Sequence, residues 1–272
     1  MPDTIFDRHY YLFRRLHSLT GIMPAGAFLL SHLTTNASIL WGHANGKWDG
    51  MHGGAAEFQH EVDFIHSIPF LLLIEIFGLW IPIGFHALLG LYYAKSGRSN
   101  VASYGYGGNV RYSLQRLSGY VGIVFILYHI ATLRWGWTFL VPGGTEWSAE
   151  FAGSTMGAVM QGGDSGITAM GLAVACFYFL GVSLLVYHFA NGLWTAGITW
   201  GLTVSAAAQR RWGYVCAGLG TGLMLAGWAA ILGFATLNVD EARETEIRMS
   251  ESHAAPPLEV EALSTATREE EH

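Results

Sequence analysis

Charge is what this chain has least of. Only 12% of its 272 residues are Asp, Glu, Lys or Arg, against 51% hydrophobic, and soluble domains carry about twice that charged fraction. Cysteine is nearly absent too. Cys176 and Cys216 stand alone inside apolar stretches, which excludes c-type haem attachment, cysteine-ligated iron–sulfur clusters and a structural disulfide framework. No ten-residue alternating segments of β-barrel type occur. No short-period repeat occurs either. The first apolar stretch is too long for a signal-peptide core and has no clean small-residue cleavage site, so it reads as a retained helix.

What is present is length and apolarity. Five stretches, 18–41, 68–94, 113–141, 167–198 and 213–238, each exceed the ~20 residues that cross a hydrocarbon core. Backbone polar groups in lipid must satisfy one another, so these stretches are expected to be helices. The fold expected is an all-α integral membrane protein, a five-helix bundle over residues 1–239. The remainder, 240–272, holds ten acidic and three basic residues around "AAPP" and is expected to be a disordered acidic tail.

Basic residues are uneven. Arg8, Arg14 and Arg15 precede the first stretch; Lys95, Arg98, Arg111 and Arg116 lie around the second-to-third connection; Arg210 and Arg211 lie before the fifth. The positive-inside rule then puts the N-terminus in the cytoplasm and, with five spans, the C-terminus outside the cytoplasmic (inner) membrane.

Each of the first four stretches carries one histidine late in its course: His32, His86, His129 and His188. At 1.5 Å per residue each lies about 25 Å into the membrane. Because direction alternates, His32 and His129 fall near the outer face and His86 and His188 near the cytoplasmic face, levels roughly 15–20 Å apart. Two imidazoles at one level are what a six-coordinate haem b needs, and the arrangement occurs twice. Gly90 and Gly192 follow His86 and His188 by one helical turn, which leaves bare backbone beside each ring. Zinc or di-iron chemistry would need clustered ligands such as histidines at i and i+4 on one helix, and no span has such a pair. A lone intramembrane histidine can also be a packing residue, and a His/Glu proton relay in a transporter is a further alternative, but broken helices and inverted repeats are missing.

The stretches "FRRLHSLTGIMPAGAFLLSHL" (13–33), "HSIPFLLLIEIFGLWIPIGFHALLGLYY" (66–93), "LQRLSGYVGIVFILYHI" (114–130) and "HFANGLWTAGITWGLTVS" (188–205) resemble the cytochrome b subunit of succinate:quinone oxidoreductases of the five-helix, di-haem type. The resemblance implies His32 and His129 on a distal haem and His86 and His188 on a proximal one. It implies a flavoprotein subunit and an iron–sulfur subunit on the cytoplasmic side, and a quinone, typically menaquinone, as exchange partner. Dicarboxylate chemistry would then reside in partner chains, this chain having no catalytic residue for it, and no nucleic-acid partner is expected. It places His17 and Ser18 near the proximal haem's propionates, to which Arg15 and Arg116 are added as cations at the same membrane edge. A hydrogenase- or formate-dehydrogenase-type di-haem anchor is the alternative of the same class.

Glu75 is an acidic residue well inside a span, and so a functional candidate. It lies about 16 Å outward of His86, on the side of Arg134, which fits either a structural ion pair or a proton-handling acid beside a quinone. Glu57 and Glu61, with Asp63, His60 and His66 nearby, are further quinone or proton candidates, since quinone chemistry couples electrons to protons. His43, His52, His60 and His66 read as ordinary loop histidines. Family members that compensate transmembrane charge movement carry a glutamate two residues before the fourth ligand; this chain has Val186 there, which leans toward succinate oxidation.

Overall fold

The computed structural model describes residues 5–96, 101–163 and 166–254. It is all-helical among those residues. In chain order the elements are α1 (Ile5–Arg8), α2 (Tyr10–Ile22), α3 (Pro24–Trp41), α4 (Gly53–Ser67), α5 (Leu71–Ile74), a π-helical turn (Glu75–Trp80), α6 (Ile81–Ser96), α7 (Gly107–Leu133), α8 (Ala152–Gln161), α9 (Ala169–Thr199), α10 (Ala206–Ala235) and α11 (Val239–Ala254).

Among the described residues, four helices are long and apolar enough to cross a membrane: Leu71–Lys95, Gly107–Leu133, Ala169–Thr199 and Ala206–Ala235. The first expected span is instead divided between α2 and α3, which meet at Met23. Pro24 causes the break, because it has no N–H to give the preceding turn and its ring crowds the carbonyl four residues back. The Thr20 hydroxyl, bonded back to Leu16 O at 2.9 Å, adds to the bend. The third span also ends earlier than 141. Arg134 caps α7, and Gly136 at φ 66° turns the chain into a short 3-10 turn, Thr138–Leu140.

The second span contains the π turn. Pro82 removes one rung of the ladder, and the Ile81 N–H reaches Ile76 O, five residues back. A proline within a helix is a common cause of such a bulge.

The bundle is assembled by α3 and α9 on α10, and by α7 on α9. Its best-packed core, with Ile39, Phe58, Phe125, Met160, Tyr178 and Phe234 buried, lies toward one end. There α4, α8 and α11 pack together as a cap.

The cap corrects one expectation. Residues 239–254 are not a disordered tail but the helix α11. Its charged residues other than Glu246 are exposed or, at Arg243, half-buried, while Ala242, Thr245, Glu246 and Met249 form a buried stripe at the i, i+3, i+4, i+7 spacing of an amphipathic helix. Residues 255–272 lie outside the described residues. Glu246, 1% exposed, accepts hydrogen bonds from the Gly153 and Ser154 N–H groups at 2.7 and 3.0 Å and from the Ser154 hydroxyl. It thereby satisfies two of the free N–H groups of α8's first turn, while that of Ala152 donates to Gln59 Oε1 at 2.9 Å. Burial pushes its carboxyl up from the ordinary range, while the Ser154 and Gly153 donors pull it down. Glu246→Ala would orphan these donors, at about 1–3 kcal/mol. Hydrogen exchange in the α11 amides is expected to rise strongly while that of α9 and α10 holds; unchanged α11 protection would show that the anchor lies elsewhere.

Candidate haem sites

The bundle brings the four span histidines together as two pairs. His86 on α6 and His188 on α9 have ring centroids 6.0 Å apart at 85°. His32 on α3 and His129 on α7 have theirs 5.7 Å apart at 81°. Rings on opposite sides of one metal atom stand about 6 Å apart, given metal–nitrogen distances of about 2 Å and ring radii of roughly 1 Å. Among the described residues no group of three or more His, Cys, Asp or Glu side chains could hold a metal ion. A two-imidazole site, with the remaining positions filled by a macrocycle, is the chemistry these residues fit.

Donor polarity sharpens the fit at the first pair. His86 Nδ1 lies 2.7 Å from His17 O, and His188 Nδ1 lies 3.0 Å from Gln115 O. A carbonyl only accepts, so each Nδ1 carries the proton and donates. Each Nε2 then keeps its lone pair for a metal, the tautomer that a carbonyl-anchored metal ligand requires. At the second pair, Asn36 Nδ2 donates to His32 O at 2.8 Å. His129 Nδ1 is buried without a partner, with Phe125 and Tyr178 against its ring.

Two glycines seat the first pair, and both escape a search along the histidines' own helices. A Cβ on Gly21 would stand 2.5 Å from His86 Cε1, and one on Gly119 would stand 3.0 Å from His188 Cε1. Each follows by four residues the carbonyl that accepts from the same ring: His17 then Gly21, Gln115 then Gly119. The two segments read "LHSLTG" (16–21) and "LQRLSG" (114–119). This shared Leu-x-x-Leu-Thr/Ser-Gly pattern is the sequence signal that marks the seats. Gly90 and Gly192 lie one step removed: a Cβ on Gly90 would meet His17 Cε1 at 3.2 Å, and one on Gly192 would meet Gln115 Nε2 at 3.5 Å.

The other expected residues are placed as follows. His17 stacks on His86, centroids 4.0 Å apart and 9° from parallel, and its own Nδ1 is buried without a partner. Ser18 is half-buried beside it. The Arg15 guanidinium lies 5.9 Å from the Trp200 ring centroid. Arg116 donates to Ala94 O and contacts the Tyr112 and Tyr120 hydroxyls at 3.4 and 3.5 Å, tying α7 to the end of α6. Glu75 and Arg134 form an ion pair at 2.8 Å, joining the π turn to the end of α7. Glu57 belongs to the cap: it is buried, accepts from Trp48 Nε1 at 2.7 Å, and has Lys47 at 3.8 Å. Glu61, on the same helix, is half-buried.

Comparison with known proteins follows the same direction. No family model matches the chain, and no solved structure matches it. The succinate dehydrogenase cytochrome b558 subunit of Bacillus subtilis (strain 168) is 32% identical over 228 residues, 84% of this chain and 98% of that relative. An all-helical membrane protein whose histidines meet in two pairs, and which aligns with nearly the whole of that relative, belongs to the family of succinate dehydrogenase cytochrome b subunits.

Proposed function

We propose that this subunit carries electrons between an iron–sulfur partner and a quinone, with two b haems as carriers: one held by His86 and His188, the other by His32 and His129. The observation that supports this most is the pairing itself. Histidines from four separate stretches of chain meet two by two at ring separations of 6.0 and 5.7 Å. Haem b with two imidazole ligands supplies a one-electron iron couple with no open coordination position.

The chain's residues supply the rest. His17 O and Gln115 O hold the first pair's rings in the tautomer that frees Nε2. Arg15, His17 and Ser18 at that end are proposed to meet haem carboxylates. Arg116 already donates to Ala94 O and serves first as a tie between helices. Arg8, Arg14, Arg15, Lys95, Arg111, Arg116, Arg210 and Arg211 all belong to the end opposite the cap. We read that end as cytoplasmic, facing the iron–sulfur and flavoprotein subunits, with α2–α3 as the fifth crossing and the cap outside. The quinone, menaquinone in our reading, is then expected near the outer pair. Glu75 and Arg134 lie on that side, and we read their ion pair as structural. Val186, at the position of the charge-compensating glutamate, fits succinate oxidation.

The deciding experiment is haem quantitation with a redox-titrated reduced-minus-oxidised spectrum of the purified complex. Two b haems per chain, titrating separately, are expected. Absence of b-type absorption, or spectra that survive replacement of all four histidines, would overturn the reading. Glu75→Gln is expected to leave both haems in place; loss of the outer haem would show that the carboxylate does more than pair with Arg134.

A further inference from the structure

Arg111 lies exposed at the charged end of α7, where an arginine ordinarily samples many rotamers. Here it is fixed twice. Its guanidinium carbon lies 3.9 Å from the Trp194 ring centroid, within cation–π range. Its Nε and Nη2 both donate to Asn191 Oδ1, at 3.0 and 2.7 Å. Arginine donates only, so Asn191 must present its oxygen there and its amide nitrogen on the other side. That nitrogen donates to Gln115 Oε1 at 2.7 Å. The Gln115 amide nitrogen in turn donates to His188 O at 3.0 Å. His188 Nδ1 closes the ring by donating to Gln115 O at 3.0 Å, with the Ser118 hydroxyl at 3.3 Å.

We infer that Arg111, Asn191 and Gln115 form a directed hydrogen-bond chain that positions His188 and tunes the haem it ligates. The bonds from Arg111 through Asn191 and Gln115 to His188 O all run donor to acceptor in one direction, and the ring's Nδ1–H returns a bond to Gln115 O; bonds aligned in this way polarise one another in a low dielectric. Asn191 is 8% exposed, so the middle of the chain is shielded from solvent. The inference rests on the reading of His86 and His188 as ligands of one haem. Gln115 and Asn191 are positioning residues, because neither needs to touch the macrocycle. Arg111 adds a positive charge that favours the reduced iron.

The test compares both haems in the purified complex. Asn191→Leu removes both amide contacts at similar volume, and Arg111→Lys keeps the charge but not the fork. Each is expected to move the low-spin electron paramagnetic resonance signal and the midpoint potential of one haem and to leave the other haem at its wild-type values. Arg111→Gln also removes the charge and is expected to lower the potential of the same haem further. A merely structural tie between α7 and α9 would move neither readout in an assembled complex. Wild-type signals and potentials at both haems in Asn191→Leu and Arg111→Lys would overturn the inference, as would equal changes at both haems. If Asn191→Leu fails to assemble, Arg111→Lys decides, because its side chain is exposed. A wild-type complex without b haem would overturn the ligand reading itself, a result distinct from unchanged potentials.

Discussion

Alanine at His188 is expected to leave the purified complex with one b haem in place of two. Removing the ring takes away one of the two imidazoles of that level and leaves Gln115 O without its Nδ1–H donor. α9 carries no second histidine to replace it. His86→Ala should remove the same haem, and His32→Ala or His129→Ala the other one. The two levels are independent because they are far apart: His129 lies about four turns along α7 from Gln115, roughly 21 Å by helical rise. Perturbations at that distance with no shared partner usually do not couple. Haem quantitation together with the redox titration checks this: one titration wave should vanish and the other keep its midpoint. Loss of both haems from a folded chain, or retention of both, would contradict the assignment of ligands to pairs.

The four histidines were legible because an ionisable ring in an apolar run is rare and costly, and alternating helix direction alone sorts them into the pairs His86–His188 and His32–His129. Their surroundings were less legible. Gly90 and Gly192 are conspicuous because each lies one turn from a ligand on the same helix, yet the glycines against the rings, Gly21 and Gly119, are on α2 and α7. Contacts between helices depend on crossing angle and rotation, which hydrophobic runs of 20–30 residues leave open. The kink at Pro24 was hidden inside an otherwise continuous apolar stretch. At α11, the ten acidic residues between 240 and 272, five of them within the helix, mask the short inner stripe of Ala242, Thr245, Glu246 and Met249. That stripe gains its value only when α4 and α8 cover it. Glu75 and Arg134, by contrast, pair as two lone opposite charges on the same side of a bundle should.

The seats give the second large effect, and it runs against local propensity. In a helix interior alanine is preferred over glycine by up to about 1 kcal/mol, so Gly→Ala within α2 or α7 should stabilise unless something blocks it. At Gly21 the new methyl would lie 2.5 Å from His86 Cε1 and 2.7 Å from its Nδ1. The ring must swing, and its hydrogen bond to His17 O lengthens or breaks. Overpacking of this kind costs typically 1–3 kcal/mol; about 2 kcal/mol is close to thirtyfold in affinity. Gly21→Ala is therefore expected to weaken retention of the haem at His86 and His188 by at least tenfold. Gly119→Ala, at 3.0 Å from His188 Cε1, should do so less, because a few tenths of an ångström relieve it. Gly192→Ala, at 3.5 Å from Gln115 Nε2, meets only an ordinary contact and should be tolerated. Gly84, Gly218 and Gly222 have nothing within 4 Å of a built Cβ, so alanine there should match the wild type or exceed it in thermal midpoint. Haem loss to a competing apoprotein acceptor measures the ranking. If Gly21→Ala holds its haem as firmly as Gly84→Ala does, then His86 has freedom that the helix-to-ring contact denies it, and the seat is packing rather than part of the haem site.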